Sequence, residues 1–168
     1  GWILRNGTSV NKWMIGTPVG ARSNALFISN NNANATYATG SQSVVITEKL
    51  FTINSPDSLE LSFDALIGGE STSDYLKVFL VDKDTVFSPS SAATYFSENS
   101  YSEGIIMQNV TNNYINLIPA THFKTRFVSP GIGVQKKLIF VWRNDGSVGT
   151  QPSCYIDNVA FLNIITPY

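Results

Sequence analysis

Two carboxylates that lie close together in the chain form the first group that could carry chemistry. Glu70 and Asp74 stand four residues apart in the glycine- and serine-rich segment 68–74. Two carboxyl groups that face one sugar suffice for glycoside hydrolysis, in which one is the acid and the other the nucleophile or base. The competing interpretation is a polar loop whose carboxylates accept hydrogen bonds from backbone amides. Glu70 and Asp74 are therefore candidate ligand-binding residues, and a glycoside hydrolase that uses them is the less favoured alternative.

Nucleophilic catalysis is poorly supported, because the chain holds one histidine, His122, and one cysteine, Cys154. A serine or cysteine nucleophile needs a base within hydrogen-bond reach, and no G-x-S-x-G motif is present. One cysteine excludes an intramolecular disulfide and a cysteine-based zinc site. Cys154 is expected to be a small buried side chain, and His122 a structural or surface residue. We predict no catalytic residue and expect the chain not to be an enzyme.

Asp157 is a more informative acid, because apolar residues surround it. If its segment is one regular strand, Tyr155, Asp157, Val159 and Phe161 share a face. A carboxylate among such neighbours should be at least partly buried, and a buried charge must be paired or bound to a cation. Arg143 or backbone amides are one solution, and a calcium ion, which takes oxygen ligands, is the other. The residues alone leave both open.

Aromatic side chains could form a platform on which sugars stack, since their rings offer apolar faces with polar tips. Trp142 lies in the most apolar predicted strand, and Trp13 is also expected to pack in the core. Tyr37, Tyr95 and Tyr101 stand in polar surroundings and are the better candidates for exposed, ligand-binding rings.

The composition excludes several classes of protein. Charged residues make up 14% of the 168 residues and give a net charge of -1, so the basic excess of a non-specific nucleic-acid binder is missing. Aromatic residues at 12% argue against disorder, and no apolar run reaches the roughly 18 residues of a membrane helix. Sixteen Asn supply neutral polarity, and the Asn-rich segment 30–34 predicts a loop, either facing a ligand or without a partner.

The elements that must position these residues are strands. Alternating or β-branched apolar runs end at clusters of Gly, Pro, Asn and Ser, and no window keeps a convincing helical stripe, although residues 90–97 could hold one turn. The predicted strands are 43–47, 50–53, 59–64, 76–81, 138–142 and 154–165. In the run 138–142, the residues expected on each face of the strand are all apolar, which is typical of a central strand covered on both faces. The pattern predicts a β-sandwich in one domain, residues 1–168.

Several segments, taken in order, resemble the cleaved-adhesin or "choice-of-anchor" domains of secreted Bacteroidetes proteins, which are MAM-like and relatives of the gingipain adhesin domains. The matching segments are Gly-Trp at 1–2, Asn-Lys-Trp-Met-Ile-Gly at 11–16, 24–30, Ser-Phe-Asp at 62–64, Gly-Glu at 69–70, 74–78, 140–146 and 152–159. The most specific part is the ordered pair Trp-Arg-Asn-Asp at 142–145 and Ile-Asp-Asn-Val at 156–159. The carboxylate-rich first loop of the gingipain domains is missing, since Asn-Gly-Thr-Ser stands at 6–9.

The resemblance implies an all-β jelly-roll β-sandwich of two antiparallel sheets in a secreted or cell-surface protein. It favours a structural calcium ion at Asp157, with Asn158 beside it, over the other solutions. Because the chain opens on Gly1-Trp2, we expect a domain processed or excised from a larger protein. The segments 57–59 (Asp-Ser-Leu) and 84–86 (Asp-Thr-Val) are also similar to an O-glycosylation acceptor pattern of Bacteroides-type secreted proteins.

The function predicted from the sequence is a non-catalytic adhesion or carbohydrate/protein-binding module. Its partner would be a glycan or an extracellular protein of a host, with no nucleic acid, no membrane insertion and a monomeric state as an isolated domain. One alternative from another class is an inert structural or accessory spacer in a multidomain secreted protein. The other is the hydrolase that uses Glu70 and Asp74.

Overall fold

Ten β-strands make up the fold in the computed structural model, which describes residues 1–21, 23–70, 73–90, 105–110 and 121–164. The strands are β1 (Ile3–Arg5), β2 (Lys12–Gly16), β3 (Ala25–Ser29), β4 (Ser43–Thr52), β5 (Ser58–Ile67), β6 (Tyr75–Asp82), β7 (Ile105–Val110), β8 (Thr121–Val128), β9 (Gln135–Asn144) and β10 (Cys154–Ile164). The two runs expected at 43–47 and 50–53 form the single strand β4. The turn expected at 90–97 lies, beyond residue 90, outside the described residues.

The strands form two five-stranded antiparallel sheets. One has the order β1-β4-β9-β6-β7, and the other has the order β2-β3-β10-β5-β8. The fold class is therefore an all-β sandwich, as the sequence predicted. No helix in the described ranges is long and apolar enough to cross a membrane. We call the two sheets the β9 sheet and the β10 sheet after their central strands.

The inner faces of the two sheets bury one apolar core. Trp13 and Trp142 have no exposed surface, as expected, and the indole Nε1 of Trp13 donates to the carbonyl of Val45 on the facing sheet at 3.0 Å. Phe63 and Phe140 meet edge to face, with ring centroids 5.3 Å apart. Burial of such side chains is the main favourable contribution to folding, at roughly 25 cal/mol per Å² of apolar surface.

A second apolar layer covers the outer face of the β9 sheet and explains why β9 is apolar at both parities. Ile139 and Val141 point away from the sandwich core, and yet both are fully buried. They pack with Phe79 and with Phe87, which belongs to the segment after β6. Ser90, at the end of that segment, exchanges backbone hydrogen bonds with Val44 of β4 at 2.8 and 2.9 Å. The segment 83–90 therefore lies across this face and closes it.

Candidate functional site

The outer face of the β10 sheet carries polar residues in direct register. Asp64 of β5 lies opposite Asp157 of β10 on one side and opposite His122 of β8 on the other. The alternate residues of these strands, among them Phe63 and Ile156, point into the core. Side chains alternate between the two faces of a sheet, so the three polar residues share the outer face. They form a row across the three strands at one side of the sheet.

Asp64 is the centre of this row. Its Oδ2 accepts a hydrogen bond from Asn158 Nδ2 at 2.7 Å, and its Oδ1 lies 2.7 Å from His122 Nδ1. The hydrogen bond from Asn158 is the main reason that the pKa of Asp64 lies below its ordinary value, with a smaller contribution from His122. Because the ionised carboxylate only accepts, His122 donates from Nδ1. The His122 side chain is 59% exposed.

Asp157 accepts hydrogen bonds from a second set of donors. Its Oδ2 accepts hydrogen bonds from Ser23 Oγ and, at 3.2 Å, from Tyr155 Oη, while its Oδ1 accepts from the backbone N–H of Asn158 at 2.7 Å. Partial burial, followed by the charge of Asp157, raises the pKa of Tyr155, so this hydroxyl keeps its proton. Ser23 comes from the loop between β2 and β3, which therefore borders the site.

Asn158 joins the two acids. It has a φ of 53° and lies at a bulge in β10, where Asp157 is opposite Asp64 but Ala160 is opposite Ser62. Asn adopts this left-handed conformation more readily than most residues. The conformation directs its backbone N–H to one carboxylate and its side chain to the other. We call this group the Asp64–Asp157 cluster. Its members are Ser23, Asp64, His122, Tyr155, Asp157 and Asn158.

The bulge corrects one expectation about Asp157. Val159 and Phe161 pack against the core, whereas Tyr155 and Asp157 face outward. These four residues do not share a face, because the extra residue in β10 reverses the alternation. Of the two hydrogen-bonding partners considered for Asp157, a backbone amide is present, that of Asn158. Arg143 is not a partner, since it lies on the β9 sheet, where it donates to the carbonyl of Ser73 and lies over the ring of Tyr75.

The donor set around Asp157 does not fit a cation site. Calcium takes six to eight oxygen ligands, but Asp157 faces three hydrogen-bond donors, and the Asn158 amide turns its N–H₂ toward Asp64. In the described ranges, no group of three or more His, Cys, Asp and Glu side chains could hold a metal ion. Hydrogen bonds therefore account for the partly buried charge, and calcium stays a prediction from the resemblance alone.

Next to the cluster, the same face carries a buried acid between two cations. Glu60 has a side-chain exposure of 3% and binds Lys124 Nζ at 2.6 Å and Arg126 Nε at 2.9 Å. These hydrogen bonds lower the pKa of Glu60. Both cations project from β8, on the same face as His122, and are more than half exposed.

The pair Glu70 and Asp74 does not form two solvent-facing carboxylates. Asp74 is 1% exposed and accepts hydrogen bonds from Tyr37 Oη at 2.7 Å and from the backbone N–H of Asp145 at 3.0 Å. Burial raises the pKa of Asp74. Glu70 is half-buried and accepts a hydrogen bond from Ser147 Oγ at 3.3 Å. The arrangement matches the polar-loop interpretation, in which a carboxylate binds a backbone amide.

Tyr37 is a second correction, because its ring is not exposed. Its surface is 2% accessible, and the ring meets Trp142 edge to face at 5.4 Å. A Cβ on Gly149 would lie 2.0 Å from Tyr37 Oη, so the chain packs directly over this hydroxyl. The hydrogen bond to Asp74 satisfies the phenol, which is why a tyrosine in polar sequence surroundings is buried.

The remaining predictions concern two tyrosines and two glycosylation segments. Tyr95 and Tyr101 are outside the described residues. The segment 57–59 enters β5, and the segment 84–86 lies in the outer layer, with Val86 62% exposed. Their glycosylation stays a prediction.

Sequence reasoning selected Asp157 and Asn158 but missed Ser23, Asp64 and His122 as their partners. The alternation of 59–64 already placed Asp64 on a wet face. No sequence signal gives the register that sets Asp64 beside Asp157 and His122, because their contacts join residues 58 to 134 positions apart.

Solved structures that are similar to this chain include two carbohydrate-binding modules and a phage protein. One, from a study of CBM4 structure and function, is 12% identical, with 95% of this chain and 84% of that chain covered and a TM-score of 0.46. TmCBM61 in complex with β-1,4-galactotriose is 8% identical, with 97% and 88% covered and a TM-score of 0.49. The third is the enzymatically active domain of tailspike protein 4 from bacteriophage CBA120. It is 16% identical, with 95% of this chain and 19% of that chain covered and a TM-score of 0.49. No protein-family model and no curated protein matches the chain.

Proposed function

We propose that the protein is a non-catalytic module of a secreted or cell-surface protein, and that it binds a glycan through the outer face of the β10 sheet. The observation that carries the proposal is the Asp64–Asp157 cluster. It places two carboxylates, an amide, an imidazole and a phenol on one partly exposed surface held by three adjacent strands.

The chemistry of these groups suits a sugar. Carboxylates accept hydrogen bonds from hydroxyl groups, and amides both accept and donate them. A tyrosine ring offers an apolar face to the C–H side of a pyranose. The side chains are held by one another, so little conformational entropy is lost when a ligand binds. Rigid strands carry most of the groups, and this favours a preformed site.

The cluster lacks the arrangement that hydrolysis needs. Asp64 and Asp157 both accept hydrogen bonds from neighbouring donors. The hydrogen bond from Asn158 lowers the pKa of Asp64, so this carboxyl group is ionised near neutral pH and cannot serve as the acid. Binding without turnover is therefore the function that these groups support best.

A panel of polysaccharides and a glycan array test the proposal. We expect the wild-type protein to retain at least one glycan and Asp64→Asn or Asp157→Asn to lose at least tenfold in affinity. Asp84→Asn makes the same chemical change at a largely exposed carboxylate in the segment 83–90 and should bind like the wild type. Equal binding by all four proteins would contradict the site. A wild-type protein that binds no glycan would favour the inert spacer.

A further inference from the structure

We infer that the ligand of the Asp64–Asp157 cluster is a neutral glycan, recognised by the hydrogens of its hydroxyl groups, and not a uronic or sulfated glycan. This inference rests on the proposed function. The reason lies in the balance of donors, acceptors and charge on this face.

Acceptor capacity exceeds donor capacity at the cluster. An ionised carboxylate has about four lone-pair positions. Asp64 uses one position for His122 and one for Asn158, and Asp157 uses three for its neighbours. The open positions on both acids need a partner that brings hydrogens. A sugar hydroxyl brings one, whereas a carboxylate or sulfate group brings acceptors only.

The charge on this face opposes an anion. Asp64 and Asp157 lie opposite each other on adjacent strands, which places their Cα atoms about 5 Å apart. An anionic group between them would meet two like charges in a partly desolvated setting, where repulsion is less screened than in water. A neutral hydroxyl meets no such cost.

The two nearby cations do not reverse this preference. Lys124 and Arg126 are both engaged with Glu60, and the Glu60 side chain is almost fully buried. If Lys124 and Arg126 moved toward an anionic ligand, the buried Glu60 carboxylate would lose its two partners. An unpaired buried charge is strongly destabilising. Apart from His122, whose imidazole is charged only when protonated, this part of the face carries three acidic and two basic side chains, an excess of one negative charge.

The row also sets a length scale. Asp157, Asp64 and His122 lie on three adjacent strands, and two inter-strand spacings make about 10 Å. A row of this length contacts hydroxyl groups on more than one sugar residue. We therefore expect an oligosaccharide to bind more tightly than its monosaccharide.

A matched panel tests the inference in the wild-type protein. The neutral arm is β-1,4-galactan, xylan, galactomannan and mixed-linkage β-glucan, and the anionic arm is polygalacturonate, alginate and chondroitin sulfate. We expect binding in the neutral arm that changes less than twofold between 50 and 500 mM NaCl, because hydroxyl recognition is not screened by salt. Binding confined to the anionic arm, or a steep loss with salt, would overturn the inference and leave glycan binding intact. Absence of binding in both arms would overturn the proposed function, and the inference with it.

Variants separate the acids from the cations. Asp64→Asn and Asp157→Asn should lower affinity for the neutral ligand at least tenfold, whereas Lys124→Gln should change it less than twofold. Circular dichroism checks that each variant is folded. A Lys124→Gln protein that loses the ligand while Asp64→Asn keeps it would contradict the inference.

Discussion

Asp64 and Asp157 are held side by side by one residue, Asn158, which donates its side-chain N–H to the first acid and its backbone N–H to the second, each at 2.7 Å. Two carboxylates in direct cross-strand register would otherwise repel each other. The bulge in β10 therefore has two effects, since it returns Val159 and Phe161 to the core and it supplies a hydrogen bond to each of the two acids.

The first prediction concerns Asn158. Asn158→Gly keeps the left-handed backbone and removes the side-chain donor, so it should weaken ligand binding and lower the free energy of unfolding by the contribution of one hydrogen bond to a carboxylate. Asn158→Ala removes the same donor and adds backbone strain of about 1–2 kcal/mol. Urea unfolding of the two variants should differ by that amount, with alanine the less stable. Equal unfolding midpoints would show that the left-handed conformation does not constrain this position.

The second prediction concerns pH. The folded-state pKa of Asp64 is lowered, first by Asn158. A lowered pKa stabilises the fold above the unfolded-state value of about 3.9, and this contribution is lost as the pH falls through the folded-state value. An NMR titration of the Asp64 carboxyl carbon should give a midpoint below the ordinary aspartate value in the wild type, and a higher midpoint in Asn158→Gly. A wild-type midpoint at or above the ordinary value would contradict the hydrogen-bond pattern.

The third prediction concerns the contact between Gly149 and Tyr37. A Cβ at Gly149 would meet Tyr37 Oη at 2.0 Å and Asp74 Oδ2 at 2.6 Å. Gly149→Ala should therefore destabilise the protein by about 1–3 kcal/mol, the range typical of overpacking. Gly40→Ala is the matched control, because nothing lies within 4 Å of its added methyl group. Similar losses in both variants, measured by urea unfolding, would contradict the packing described for Tyr37.

The fourth prediction concerns calcium. A cation bound only by the native state raises the unfolding temperature by mass action. Because Asp157 already accepts hydrogen bonds from three donors, we expect coincident thermal midpoints in calcium and in EDTA. A higher midpoint in calcium that disappears in Asp157→Asn would instead establish the metal site that the family resemblance implies.

The sequence by itself determined the class of fold and most of the core. Strand periodicity, turn clusters and the doubly apolar run 138–142 were sufficient for a β-sandwich with Trp13, Trp142 and Cys154 buried. They were sufficient because the alternation of side chains along a strand depends on neighbours in the chain. The same local reasoning selected Asp157 as an acid that must be satisfied.

Only the tertiary structure decided how that acid is satisfied and which residues join it. The bulge at Asn158 reversed the alternation that local reasoning assumed, and burial of Tyr37 against Asp74 removed two of the expected surface residues. The partners Ser23, Asp64 and His122 come from three separate parts of the chain. Cross-strand register places Asp64 and His122 near Asp157, and the β2–β3 loop places Ser23 there. Local sequence predicts neither the register nor the position of the loop, because each depends on how the strands of the sheet pair and pack.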